Sequence, residues 1–240
     1  MKKIFFLHIP KTGGTSINVT IVKAIGEEKS VVHAENSCNP KIHFNKKLFI
    51  SGHIPYPRVR KSVKMNGYIP VTIIRNPFDH IVSHISWVRN LKSNNKIHSA
   101  PKKIKKLCDY LNNINYSDEK HLKCLADKIF KNYYEVFDNR QVRYLTDTSD
   151  NRRLEKLDLN NALQISCDFE HIGNFDDLQK TNNFILDQLT YRNINRTFTL
   201  KDLNSANKKI ELTDYTKDIF KELFNDFIIY DKILFEKIHG

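Results

Sequence analysis

Two rhythms of apolar positions run along this chain. Ile4 to Ile9 is a short apolar run rich in aromatic and β-branched side chains, ended by Pro10 and glycines, and it predicts a buried strand. After the glycines, Ile17, Ile21, Val22 and Ile25 recur at helical spacing, with Thr15 or Ser16 to start a helix and Gly26 to stop it. The same order of strand, loop and helix returns over Tyr68 to Arg89. There the run IPVTII meets the turn RNP, and Phe78, Ile81, Val82, Ile85 and Val88 then fall on one helical face. A weaker strand, Leu48 to Ile50, lies between the two units and leads into SGHIPY. Further on, the spacing predicts helices over Lys103 to Leu111, Glu119 to Phe137 and Asn139 to Leu145. A strand over Ile165 to Ile172 and a helix from Asp176 to Leu189 follow, then one long amphipathic helix from Thr213 to Ile238 capped by Thr213.

Strands alternating with helices predict an α/β fold: a P-loop-like three-layer α/β/α arrangement with a central parallel sheet flanked by helices, plus a helical elaboration. A length of 240 residues suits one domain, 1–240, with 89–137 as a helical and basic insertion. The formal charge of +12 favours anionic partners, although part of it is a Lys-rich surface. The lysines between Arg89 and Lys106 read as a solvated face, or as a cationic lip for an acidic substrate. Cys38, Cys108, Cys124 and Cys167 form no cluster with metal-ligand spacing, so a reduced, metal-free protein is expected. The N-terminal apolar run is too short for a signal peptide and no run approaches a membrane span, so a cytoplasmic location is expected.

The chemistry begins where the first strand ends. In KTGGTS, Gly13 and Gly14 let the backbone approach a ligand closely, and the first amides of the next helix point at it with the positive end of the dipole. Lys11 adds a full charge; Thr12, Thr15 and Ser16 add hydroxyl donors. A solvated Lys on an ordinary strand-to-helix turn is the plain alternative. The pattern is not a Walker motif, because Lys11 precedes the glycines. In the second unit Arg75 ends a strand and Ser83 stands on the following helix, so a guanidinium and a hydroxyl can grip a second phosphate. Together the two units imply a ligand with two separated phosphates.

HIPKTGGTS resembles the 5′-phosphosulfate-binding loop of sulfotransferases that use 3′-phosphoadenosine 5′-phosphosulfate (PAPS), in particular the heparan sulfate 2-O-sulfotransferase-like group, and TIIRNPFDHIVSHI resembles their 3′-phosphate-binding motif. SGHIPY looks like the segment that carries the catalytic His in this group, and DNRQVRYL, FEHIGNFDDL and YDKILFEKI are similar to further family segments. The poorest match is Arg89 to Phe137, where acceptor identity would be decided.

The resemblance implies a PAPS-dependent sulfuryl transfer to a hydroxyl, with a glycan or glycolipid as the favoured acceptor and PAP as the product. Lys11 would contact the bridging oxygen and 5′-phosphate. The amides of Gly13, Gly14, Thr15 and Ser16 would hold the remaining oxygens, assisted by the hydroxyls of Thr15 and Ser16, with Thr12 also in the binding loop. Arg75 and Ser83 would hold the 3′-phosphate. His53 would be the general base, since an imidazole titrates near neutrality; an incidental loop histidine is the alternative. Arg143, with Arg58 or Arg60, would meet an acidic acceptor, and the mechanism requires no metal. Two other functions stand beside this one. A nucleotide kinase or ATPase lacks the Walker Lys placement and an evident magnesium-binding aspartate. A non-catalytic polyanion or nucleic acid binder has charge in its favour but no nucleic acid motif, so no nucleic acid partner is expected.

Overall fold

The computed structural model describes residues 2–37, 39, 43, 44, 46–146, 152–189 and 210–240. Five strands, β1 (Lys3–Leu7), β2 (Ser30–Val31), β3 (Phe49–Gly52), β4 (Tyr68–Ile74) and β5 (His171–Asn174), form one sheet in the order β2-β3-β1-β4-β5, every pair parallel. From β1 the chain runs to the edge strand β2, returns to β3 beside β1, then crosses to β4 and β5 on the other side. The β1/β4 boundary is therefore a topological switch point, and the crevice beyond the strand ends there is where such sheets bind ligands.

Alternate residues of β1 explain the layers. Ile4 and Phe6 face one apolar cluster with α1 (Gly14–Ile25) and α9 (Leu178–Gln188); Phe5 and Leu7 face another with α2 (Tyr56–Met65), α7 (Arg140–Leu145), α8 (Lys156–Ser166) and α11 (Ile229–His239). Both faces are buried, so the strand reads as a continuous apolar run. A third cluster holds the helical elaboration: α3 (Pro77–Arg89), α4 (Lys102–Asn112), α5 (Glu119–Asn132), α6 (Tyr134–Phe137) and α10 (Asp214–Leu223) pack around Ile81, Ile85, Leu107, Leu125 and Phe220. Among the described residues, no helix is long and apolar enough to cross a membrane. Cys108, Cys124 and Cys167 carry free thiols; Cys38 lies outside the described residues.

Several boundaries differ from the sequence expectations. The strand expected over Ile165 to Ile172 is wrong in its first half: Ile165 and Ser166 close α8, and pairing begins only at His171. Leu157, Leu159, Ala162 and Leu163 give α8 its own apolar positions, and Glu155 with Asp158 closes a capping box at its start. The expected helix from Thr213 to Ile238 is two helices separated by a 3-10 turn at Asn225–Phe227, which lets Phe224 and Phe227 both enter the core. The helix expected over Glu119 to Phe137 breaks at Tyr133. Helix α2 was hidden by its prolines, yet a proline within the first turn is favourable, and Tyr56, Val59 and Val63 share its buried face.

Candidate active site

The loop leaving β1 makes an unusually tight turn. Lys11 (φ 69°) and Gly13 (φ 83°) both sit in the left-handed region, which costs a lysine energy and a glycine almost none. Thr12 is wholly buried and its hydroxyl donates to the Ile9 carbonyl at 2.8 Å, so it braces the turn from within. A Cβ at Gly13 would press on Leu178 and Phe175, and one at Gly14 would overlap the ring of His8. These contacts bring the start of α1 down against the sheet, with Thr15 exposed and Ser16 buried behind it. The Ser16 amide turns back to the Gly13 carbonyl at 3.0 Å, and the amides before it lie at the positive end of the helix.

Arg75, one residue beyond β4, faces this loop across the switch point. Its Nη1 donates to the Lys11 carbonyl at 3.2 Å, and its guanidinium lies 3.9 Å from the ring centre of Phe175. Arg75 is only 8% exposed, and its Nε is buried with no protein partner. Asn76 caps α3 by accepting from the amides of Phe78 and Asp79, and Pro77 sets the first turn. Neither Lys11 nor Arg75 has a carboxylate within ion-pair distance among the described residues. Burial, helped by Arg75 and Lys96, lowers the pKa of Lys11 to about 8, and burial also lowers that of Arg75, opposed by Asp79 and Asp176. Two desolvated cations held together without a counter-ion form a site for a strongly anionic group. Ser83 stands half-buried in the second turn of α3, and its hydroxyl makes no hydrogen bond among the described residues. His80, buried on the same helix, donates from Nε2 to the Pro10 carbonyl at 2.8 Å and ties α3 to the loop.

His53 follows β3, the other neighbour of β1. Its backbone N–H donates to Glu35 Oε2 at 2.8 Å, and its Nδ1 lies 2.5 Å from the carbonyl oxygen of His8. A carbonyl only accepts, so Nδ1 carries the proton and Nε2 keeps its lone pair. Burial lowers the pKa of His53 below its ordinary value; the His8 carbonyl and Glu35 oppose this, while His33 and Arg140 add to it. The ring of His8, 4% exposed, packs 4.2 Å from that of His53 between centroids, and burial, with His53, His33 and Lys11 nearby, lowers its pKa to about 3. His8 is thus a neutral wall, as its place in the first strand suggests.

Arg140, at the start of α7, escaped the sequence reading. It acts electrostatically on His53, His80 and His84, its Nε is buried without a partner, and its remaining hydrogen bonds, to the Glu135 carbonyl and Tyr144 hydroxyl, are both 3.5 Å long. No carboxylate pairs with it among the described residues. Of the arginines singled out from the sequence for an acidic acceptor, two are engaged within the chain. Arg143 forms a buried ion pair with Asp138, and Arg60 pairs with Asp168; Arg58 is exposed on α2. In the basic stretch, Lys92 pairs with Asp109 and Lys103 with Glu135, as a solvated face would, whereas Lys96 reaches the neighbourhood of Lys11.

A parallel sheet whose switch point carries a glycine loop, a helix start and two cations without an ion-pair partner among the described residues defines an α/β protein with a site suited to an anionic ligand. The family model described as the sulfotransferase family matches residues 1–239, so the chain belongs to that family. No curated protein was found that matches the chain.

Proposed function

We propose that this sulfotransferase moves the sulfuryl group of PAPS to a hydroxyl of a carbohydrate acceptor, in the cytoplasm, as a relative of the heparan sulfate 2-O-sulfotransferase-like group. The observation that carries the reading is the contact of Arg75 with Lys11, two cations with no carboxylate in ion-pair distance among the described residues, at the end of the strand whose His8 carbonyl also holds Nδ1 of His53. PAPS supplies an activated sulfuryl group on a 5′-phosphosulfate anhydride and carries a separate 3′-phosphate that ATP lacks. The protein residues suit it. The amides from Gly13 to Ser16, with the Thr15 and Ser16 hydroxyls, surround the 5′ side, and Thr12 keeps the loop in shape. Lys11 neutralises charge growing on the departing phosphate oxygen. Arg75 and Ser83 hold the 3′-phosphate, Arg75 while stacked on Phe175.

On the acceptor side, Nε2 of His53 accepts the hydroxyl proton as the oxygen attacks sulfur, and the His8 carbonyl steadies the imidazolium that forms through Nδ1. His8 and Gly14 set the distance between base and donor loop. Arg140 attracts an anionic group on the acceptor.

Calorimetry with PAP and with ATP plus magnesium, followed by transfer from labelled PAPS to a panel of sugars, glycolipids and phenols, tests the proposal. Tight PAP binding, weak ATP binding and label on a sugar hydroxyl are expected. Preference for ATP with magnesium, or PAP binding no tighter than that of AMP, would overturn it.

A further inference from the structure

Three ligand-bearing side chains from two chain segments meet at the rim of the sheet. His33 follows β2, Glu35 lies in the next 3-10 turn, and His53 follows β3; one ligand atom from each lies within 4.8 Å of the other two. His33 Nδ1 is 3.1 Å from Glu35 Oε1, Glu35 Oε2 accepts the His53 amide at 2.8 Å, and the two imidazole rings are 5.6 Å apart between centroids. Gly52 makes room for this arrangement, because a Cβ there would come within 2.8 Å of Glu35 Oε2. His33 holds a left-handed backbone (φ 56°) and is exposed, so it can turn inward and gives an ion a path of entry.

Two imidazoles and one carboxylate, with a fourth position open to solvent, are the donor set of a borderline transition-metal ion. Magnesium and calcium favour all-oxygen shells instead. Ligand bonds of about 2.0–2.2 Å require the three donor atoms to draw closer together, a movement that rotation of the exposed His33 ring supplies. We propose that His33, Glu35 and His53 bind a dication such as Zn²⁺, and that the bound ion takes the lone pair of His53 and stops transfer. The inhibitory half rests on His53 being the base, as proposed above. The binding half does not.

The test uses the full chain, stripped of metal by a chelator. Zn²⁺ is titrated by calorimetry and Co²⁺ by visible absorption, for the parent and for His33→Gly, a substitution suited to the positive φ. Glu35→Gln is the second variant, and PAP affinity serves as the check on folding. One equivalent of Zn²⁺ is expected to bind, Mg²⁺ should not compete, and His33→Gly should weaken Zn²⁺ by more than the roughly 10–100-fold that loss of an outer-shell partner costs, with PAP affinity retained. Zn²⁺ should also suppress transfer from labelled PAPS, and chelator should restore it. Equal Zn²⁺ affinity in the parent and both variants, or equal competition by Mg²⁺, would sink the site. Zn²⁺ binding through His33 in a chain that transfers no sulfuryl group even without metal would overturn the sulfotransferase reading and leave the metal site standing.

Discussion

Gln141 clasps the backbone of Arg75 from both directions. Its Oε1 accepts from the Arg75 amide at 2.8 Å, and its Nε2 donates to the Arg75 carbonyl at 2.9 Å. Gln141 is itself positioned from the C-terminal helix, where Asp231 accepts from the amides of Gln141 and Val142. Gln141→Ala leaves two buried backbone groups unpaired, each costing about 1–3 kcal/mol. Denaturant unfolding should show a loss of about 2–6 kcal/mol for the two groups together, and PAP calorimetry a weaker affinity. Unchanged PAP affinity would mean that Arg75 needs no such support.

Lys11 gives a pH signature. Its pKa is lowered from the ordinary 10.5 to about 8, so it is charged below that value and loses its charge above it. An anionic ligand prefers the charged form, so PAP affinity should stay level at neutral pH and fall as pH rises through about 8, and Lys11→Ala should abolish that fall while collapsing turnover. A profile that still falls in the alanine variant would assign the titration to another group.

His53→Ala should reduce transfer by about 10²–10⁴-fold, the range of a general base, while PAP affinity stays close to that of the parent. Rapid turnover in this variant would mean another group takes the proton.

Gly14→Ala sets a methyl group against the His8 ring. Overpacking of this kind costs about 1–3 kcal/mol. Because His8 both walls and anchors His53, the variant should lose transfer rate as well as thermal stability. A stable variant with full activity would show that the loop yields easily.

The elements that build the donor side were legible because each carries a local signal. β1, α1, β4 and α3 declare themselves by runs and spacings around KTGGTS and RNP, and the registers of β1 with β3 and β4 then bring His53 and Arg75 to either side of one loop. What the sequence hid depends on contacts between distant segments. Gln141 and Arg75 are 66 residues apart. Arg140 and Arg143 are both basic and share one helix, yet only the fold shows that Asp138 occupies the second and leaves the first without a carboxylate among the described residues. His33 and Glu35 gain significance only when β2 lies beside β3 and brings them to His53. Ile165 to Ile172 misled because an amphipathic helix end followed by a short strand reads as one β-rich run.

The left-handed backbone of Lys11 is a position where the fold and the chemistry ask for different residues. A glycine there would relieve about 1–2 kcal/mol of strain and discard the ammonium group. Selection for stability alone would thus drive this site toward glycine. Lys11 is therefore a reporter of use: a lineage freed from the need to bind its anion should lose the lysine early and become harder to unfold as it does so.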